Sequence, residues 1–174
     1  EQGEIDVVHI GPATLERALD PQSPLSGQLS IYPELNIFFT GFNASIPPFD
    51  DPLVRRAFAL AVDVDRIVEV VRQGYVQRAQ GFLPPGMPGY SPDSPGIRYN
   101  PVEAQRLLAD SSYGGPGGLP PIVYTTSGQG GAGPTLSAMV GMWRANLGVE
   151  VTVRQIPSDV YFYRLGDEMD NLFD

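Results

Sequence analysis

Between Pro121 and Ile156 the chain reads as strand, glycine-rich loop, helix and strand in immediate succession, and that order restricts the fold more than any other stretch. "PIVYTT" is a run of apolar, branched and aromatic residues. Leu136, Met139, Val140, Trp143 and Leu147 then trace one helical stripe that stops at Gly148, and "VEVTVRQI" alternates as a half-buried strand. Other helices are announced by their caps. Asp51 precedes Pro52 and Asn100 precedes Pro101, so each sets a capping oxygen ahead of a proline at the first helical position, where the missing N–H costs nothing. Val54, Ala57, Phe58 and Ala61 follow the first cap at helical spacing; Ala104, Leu107 and Leu108 follow the second, with Glu103 as a capping-box partner. Asp63 is expected to cap a helix through Ile67, Val70 and Val71 to a stop at Gly74. Pro12 opens a short helix to Leu19 with Leu15, Ala18 and Leu19 on one face, and Ser158 starts a last one holding Val160, Tyr161 and Leu165. "IDVVHI" at residues 5–10 and "LNIFFTGFN" at residues 35–43 are expected strands. Strands alternating with helices predict α/β or α+β layers.

A chain of 174 residues can bury roughly 70% of the surface its unfolded form exposes, enough for a real core. Its 20 glycines and 18 prolines gather between the periodic segments, as in "PPGMPGYSPDSPG" at residues 84–96, and so mark turns rather than disorder. The formal charge of -9, with no clustered basic patch, disfavours DNA, RNA and anionic lipid surfaces as partners. The lack of cysteine excludes disulfides, thiolate metal sites and a cysteine nucleophile. No apolar run approaches the roughly 20 residues of a membrane span, and no signal peptide is present. The start "EQGEID" without methionine and the end in "DNLFD" lead us to expect a piece of a longer protein.

Gly128, Gly130 and Gly133 form a G-x-G-x-x-G between strand and helix, the context in which backbone N–H groups can cradle a phosphate. The acid that holds a ribose about 20 residues onward is missing, however, since Arg154 and Gln155 stand at the end of the next strand. The loop from Ser127 to Gly133 is therefore expected to be mobile and to hold no nucleotide. His9 is the sole histidine, too few for a histidine metal cluster or a histidine-paired nucleophile. Asp50 with Asp51, Asp63 with Asp65, and Asp167, Glu168 and Asp170 could pair for acid–base work or calcium, but helix capping and polar faces account for them. Neither a catalytic residue nor a metal ligand nor a cofactor is expected. Tyr90, Tyr99, Tyr113 and Tyr124 sit near loop ends, where they suit a ligand or simple packing equally.

The motifs together resemble a family. "NIFFTGFNASIPPFDDPLVRRAFALAVDVDRIVEVVRQG" from Asn36 onward resembles a hallmark stretch of the family 5 extracellular solute-binding proteins, the peptide- and nickel-binding components of ABC importers. The matching parts are the Phe42-Asn43 pair, the Pro-Pro-Phe-x-Asp turn from Pro47 to Asp51, the Val-Arg-x-Ala helix from Val54 to Ala57, and Ala61 to Asp63. "GEIDVV", the Leu83 to Gly86 loop, "NPVEAQRLL" and "LGVEVTVRQI" extend the resemblance over nearly the whole chain.

The resemblance implies an α/β lobe of periplasmic-binding-protein type II, a mixed sheet flanked by helices. It implies that residues 1–174 are a single lobe of a two-lobe protein, with 34–174 as lobe core and 1–33 packing against the other lobe. The implied function is capture of peptides or similar solutes outside the membrane, in the periplasmic or extracellular cell envelope, for delivery to a membrane permease. An exported, lipid-anchored parent is one option. The family's ligand segment containing tryptophan and aspartate normally follows the position of Asp174, and a lobe alone is open to self-association through an apolar patch. Because open α/β sheets present ligand loops at the carboxyl ends of their strands, Phe42, Asn43, Tyr124, Thr125, Thr126, Ser127, Gly128 and Gln129 are the expected ligand contacts. Two other readings stay open at this point: a ligand-sensing regulator built on the same lobe, and an acid–base hydrolase.

Overall fold

The computed structural model describes residues 6–8, 10, 12–30, 32, 34–128, 132–164 and 170–173. The chain divides into two compact units, Glu1–Leu35 and Asn36–Asp174. In the first, α1 spans Pro12–Leu19, as its opening proline predicts, and a 3₁₀ turn at Ser26–Gln28 follows. The expected strand over residues 5–10 does not form among its described residues, and Val7 and Val8 are 82% and 63% exposed. A lone extended segment gains nothing without a neighbouring ladder.

The second unit carries the sheet. Its elements are β1 (Gly41–Phe42), α2 (Pro52–Leu60), α3 (Val64–Arg66) running into a π-helical turn (Ile67–Val71), α4 (Pro101–Asp110), β2 (Ile122–Ser127), α5 (Pro134–Leu147), β3 (Val151–Ile156), α6 (Ser158–Arg164) and β4 (Leu172–Phe173). The caps work as read. Asp51 Oδ1 accepts from Leu53 N at 2.7 Å, Asp63 Oδ1 from Arg66 N at 3.0 Å and Asn100 Oδ1 from Glu103 N at 3.1 Å. Gly148 ends α5 at φ +69°, a left-handed conformation that glycine adopts without a Cβ penalty.

The strand order is β1-β4-β2-β3. β2 runs parallel to β3, from Ile122 opposite Val151 to Ser127 opposite Ile156, and parallel to β4, while β1 is antiparallel to β4. This is the expected mixed sheet flanked by helices. The long strand expected over residues 35–43 shrinks to Gly41–Phe42, because only β4 lies beside it and β4 is two residues long; Phe38 and Phe39 stay exposed. Helix α2 packs on α4 and α4 on α5. Trp143 of α5 sits between Phe58 of α2, 5.5 Å away, and Tyr124 of β2, 6.3 Å away, and its indole N–H donates to Phe58 O at 3.0 Å. Burying a side chain of this size stabilises by roughly 2–3 kcal/mol, so this seam between helices and sheet is the centre of the core.

Candidate functional site

Parallel β2, β3 and β4 end at one edge of the sheet, the place where open α/β sheets offer ligands unpaired backbone and loop residues. The ladder closes there when Gly128 N donates to Ile156 O at 3.0 Å, and Gly128 is held at φ +114°, where a Cβ would be strained. Thr125 Oγ1 donates to Asp170 Oδ2, and the same carboxylate oxygen pairs with the Arg154 guanidinium. Thr125 stands opposite Arg154 on one side and Phe173 on the other, and Asp170, just before β4, reaches both through its side chain. The Arg154 side chain remains 47% exposed and that of Asp170 21%, which leaves both signs of charge facing solvent at the strand ends.

A second cluster fixes the neighbouring turn. Asn171 is buried; its Nδ2 donates to Pro47 O at 2.6 Å, its Oδ1 accepts from Val123 N at 2.9 Å, and its carbonyl accepts from Asn43 N at 3.0 Å. One asparagine thus ties the start of β4 to β2 and to the Pro47 turn. Satisfying buried backbone groups in this way is worth on the order of 1 kcal/mol per bond, and leaving them unpaired costs more.

The expected ligand contacts divide. Thr125, Thr126, Ser127 and Gly128 lie together at the end of β2, with Thr125 and Thr126 buried and Ser127 half-buried. Tyr124 is drawn into the core at 2% exposure, its ring on Trp143 and its hydroxyl bonded to Thr40 Oγ1 at 3.0 Å. Phe42 packs on Phe49 at 5.0 Å between ring centroids, and Asn43 Oδ1 accepts from Ser45 N at 3.1 Å, the local bond of a turn-tying asparagine. Gln129 and Gly130 lie outside the described residues, as do His9, Leu165, Asp167 and Glu168. Arg154 was not among the expected ligand contacts, and Asp170 entered the sequence reading only with Asp167 and Glu168, as a carboxylate of a polar face. The alternation of "VTVRQI" could have placed Arg154 on a face, but nothing local showed that Asp170 would return beside it.

Asp50, Asp51 and Asp65 act structurally. Asp51 Oδ2 accepts from Ser112 N and Ser112 Oγ, each at 2.8 Å, and the Ser112 amide above all holds its carboxyl below the usual range. Asp50 accepts from the Tyr113 hydroxyl at 2.7 Å, and this bond pushes the phenol up to about 12. Asp65 pairs with Arg78 at 3.3 Å. Chemically, the strand-end edge offers hydrogen bonds and two opposite charges to a polar, zwitterionic solute.

The model of the bacterial extracellular solute-binding proteins, family 5 Middle, matches residues 1–172. The oligopeptide-binding protein OppA of Bacillus subtilis (strain 168) is 25% identical over 171 residues, covering 95% of this chain and 31% of the relative. Heme-binding protein A of Haemophilus influenzae is 38% identical over 79 residues, 45% of this chain and 14% of the relative. Among solved structures, the Escherichia coli murein tripeptide binding protein MppA superposes with a TM-score of 0.79 at 22% identity, over 92% of this chain and 32% of that one. Helicobacter pylori DppA in complex with peptide STSA superposes at 0.68 and 22% identity, over 78% and 25%. The chain therefore spans about a third or less of the length of these relatives. The likeness in structure gives the fold, an α/β lobe of the type II periplasmic binding proteins. The family model, which runs from residue 1 to residue 172, gives the kinship: the chain belongs to the bacterial extracellular solute-binding proteins, family 5.

Proposed function

We propose that this chain is one lobe of the substrate-binding component of an ABC importer, with residues 34–174 as the lobe core, and that it captures peptides or similar small solutes outside the membrane. The observation that carries this reading is the carboxyl-end edge of the parallel strands, where Thr125, Asp170 and Arg154 set a partly exposed ion pair near the half-buried Ser127 and the backbone of Gly128. A short peptide carries an ammonium at one end and a carboxylate at the other, so opposed charges on a hydrogen-bonding edge suit it, and binding rather than catalysis is the role. The names of OppA, an oligopeptide-binding protein, and MppA, a murein tripeptide binding protein, and the peptide bound to Helicobacter pylori DppA support the same ligand class. The partner in transport is a membrane permease, reached from the periplasmic or extracellular side.

A single lobe supplies one wall of a cleft and excludes little solvent, so affinity is weak. Calorimetry with a mixed di- to octapeptide pool should show no saturable heat at tens of micromolar protein, whereas peptides at roughly millimolar concentration should move the amide resonances of Thr125 to Gly128 in ¹⁵N-resolved NMR. Arg154→Gln with Asp170→Asn should abolish those shifts. Tight stoichiometric binding would overturn the one-lobe reading, and shifts that avoid the strand ends would overturn the site.

A further inference from the structure

All eleven basic residues of the chain are arginine, and three of them, Arg55, Arg56 and Arg98, line a single groove of about 640 Å³. The groove runs between α2 and the segment from Gly96 to Asn100, with Phe42, Leu60, Ile97 and Tyr99 among its walls. Its volume lies in the range of small-molecule sites. In an acidic protein such a convergence of guanidinium groups needs a local reason, and the neighbouring charges supply only part of one, since the Arg56 charge adds a little to what holds the Glu103 carboxylate ionised. The Glu103 carboxylate, at the rim, is already held by Arg106 through two bonds of 2.8 Å. Asp50 is turned to Tyr113. Arg55 donates to the carbonyls of Phe49 and Asp50, but the guanidinium groups of Arg56 and Arg98 make no hydrogen bond or ion pair among the described residues.

The segment that carries Arg98 is held in place from both sides. Arg78 donates to Ile97 O, and Asn100 N donates to Leu60 O at 2.9 Å. Arg98 and Tyr99 are therefore presented by a fixed backbone. Ile97 and Tyr99 remain 55% and 41% exposed, apolar surface with nothing seated on it, beside the guanidinium groups of Arg56 and Arg98. Guanidinium binds carboxylate through paired N–H donors, while the apolar walls take an apolar body.

We propose that this groove is a second ligand site, which binds an apolar molecule ending in a carboxylate, the headgroup on Arg56 and Arg98 and the body over Leu60, Ile97 and Tyr99. Such a molecule is either a free aliphatic acid or the carboxyl end of an apolar peptide. The test is ¹⁵N-resolved NMR on the 174-residue chain with octanoate, octylamine and acetate, and with N-acetyl-Ala-Leu-Leu as free acid and as amide. Octanoate should move the amides of residues 53–60 and 96–100 with an affinity on the order of millimolar, as about ten heavy atoms allow. Arg56→Gln and Arg98→Gln should each weaken it roughly fivefold, the factor expected at the upper end of an exposed ion pair. Arg56→Lys and Arg98→Lys should recover part of the loss, and Arg144→Gln should change nothing. Octylamine and acetate should leave the groove unmoved. Shifts with the tripeptide acid but not its amide would identify the peptide carboxyl as a source, and octanoate alone would identify the aliphatic acid. Equal shifts from octanoate and octylamine, an unchanged affinity in the glutamine variants, or no saturable shift with either acid would overturn the proposal. Residues 125–128 report separately on the strand-end site.

Discussion

Asp51→Ala should destabilise the second unit by about 2–3 kcal/mol. The carboxylate joins two parts of the chain far apart in sequence: Oδ1 caps α2 through Leu53 N, and Oδ2 takes both the amide and the hydroxyl of Ser112 just beyond α4. Loss of the cap costs about 1 kcal/mol, and loss of two charge-assisted bonds at a partly exposed site adds roughly 1–2 kcal/mol. In a chain of this length that corresponds to a fall in Tm of about 5–10 °C. Asp51→Asn separates the contributions. Its one oxygen can still serve Leu53, but its amide N–H₂ would face two donors at Ser112, so it should lose about half as much. Urea unfolding followed by circular dichroism measures both. The acid limb gives an independent readout. Because the folded carboxyl is held below its ordinary value of 3.8, its stabilisation is complete above that pH and is lost as pH falls through the folded value, so wild type and Asp51→Ala should converge below about pH 3.8. An alanine variant within about 0.5 kcal/mol of wild type at neutral pH would refute the bridging role.

Asn171→Ala should cost about 2–4 kcal/mol, because it leaves Val123 N and Pro47 O without partners, and it should speed hydrogen exchange at Val123; a cost below about 1 kcal/mol would show that Asn171 does not tie these strands. Trp143, the single tryptophan, is 1% exposed, so native emission should be blue-shifted and should move to the red in step with unfolding. Trp143→Phe should cost about 2–3 kcal/mol for the lost volume and the unpaired Phe58 carbonyl, and a near-neutral variant would refute its central place in the core.

Elements that carry their own boundary chemistry were legible. Asp51-Pro52, Asn100-Pro101 and Gly148 state where α2, α4 and α5 begin or end, and the alternation of residues 151–156 states β3. What depends on partners far along the chain was not. Phe38 and Phe39 have the composition of strand residues, yet lack a strand to pair with. Two-residue β4 has no periodicity to read, although it stands inside the sheet. The same cause limits the site. The carboxyl end of β2 could be picked as an edge from topology, but β2 is covered on both faces, so Tyr124 and Thr125 are adjacent and both buried. Only the three-dimensional return of Asp170 brings a charge to Thr125 and Arg154.

The position of β4 also sets an order for biosynthesis. Phe42 pairs with Leu172, and Leu172 pairs with Tyr124, so the oldest strand of the second unit has no neighbour until nearly all of that unit has left the ribosome. Contacts between such distant residues slow folding, since a long loop must close before any bond rewards it. Through that interval the sheet has an open slot between Phe42 and Tyr124, shaped for a strand and free to accept a foreign one. The late strand thus leaves a gap in the sheet that only the far end of the unit can fill, and until it does the half-built sheet is open to misassembly.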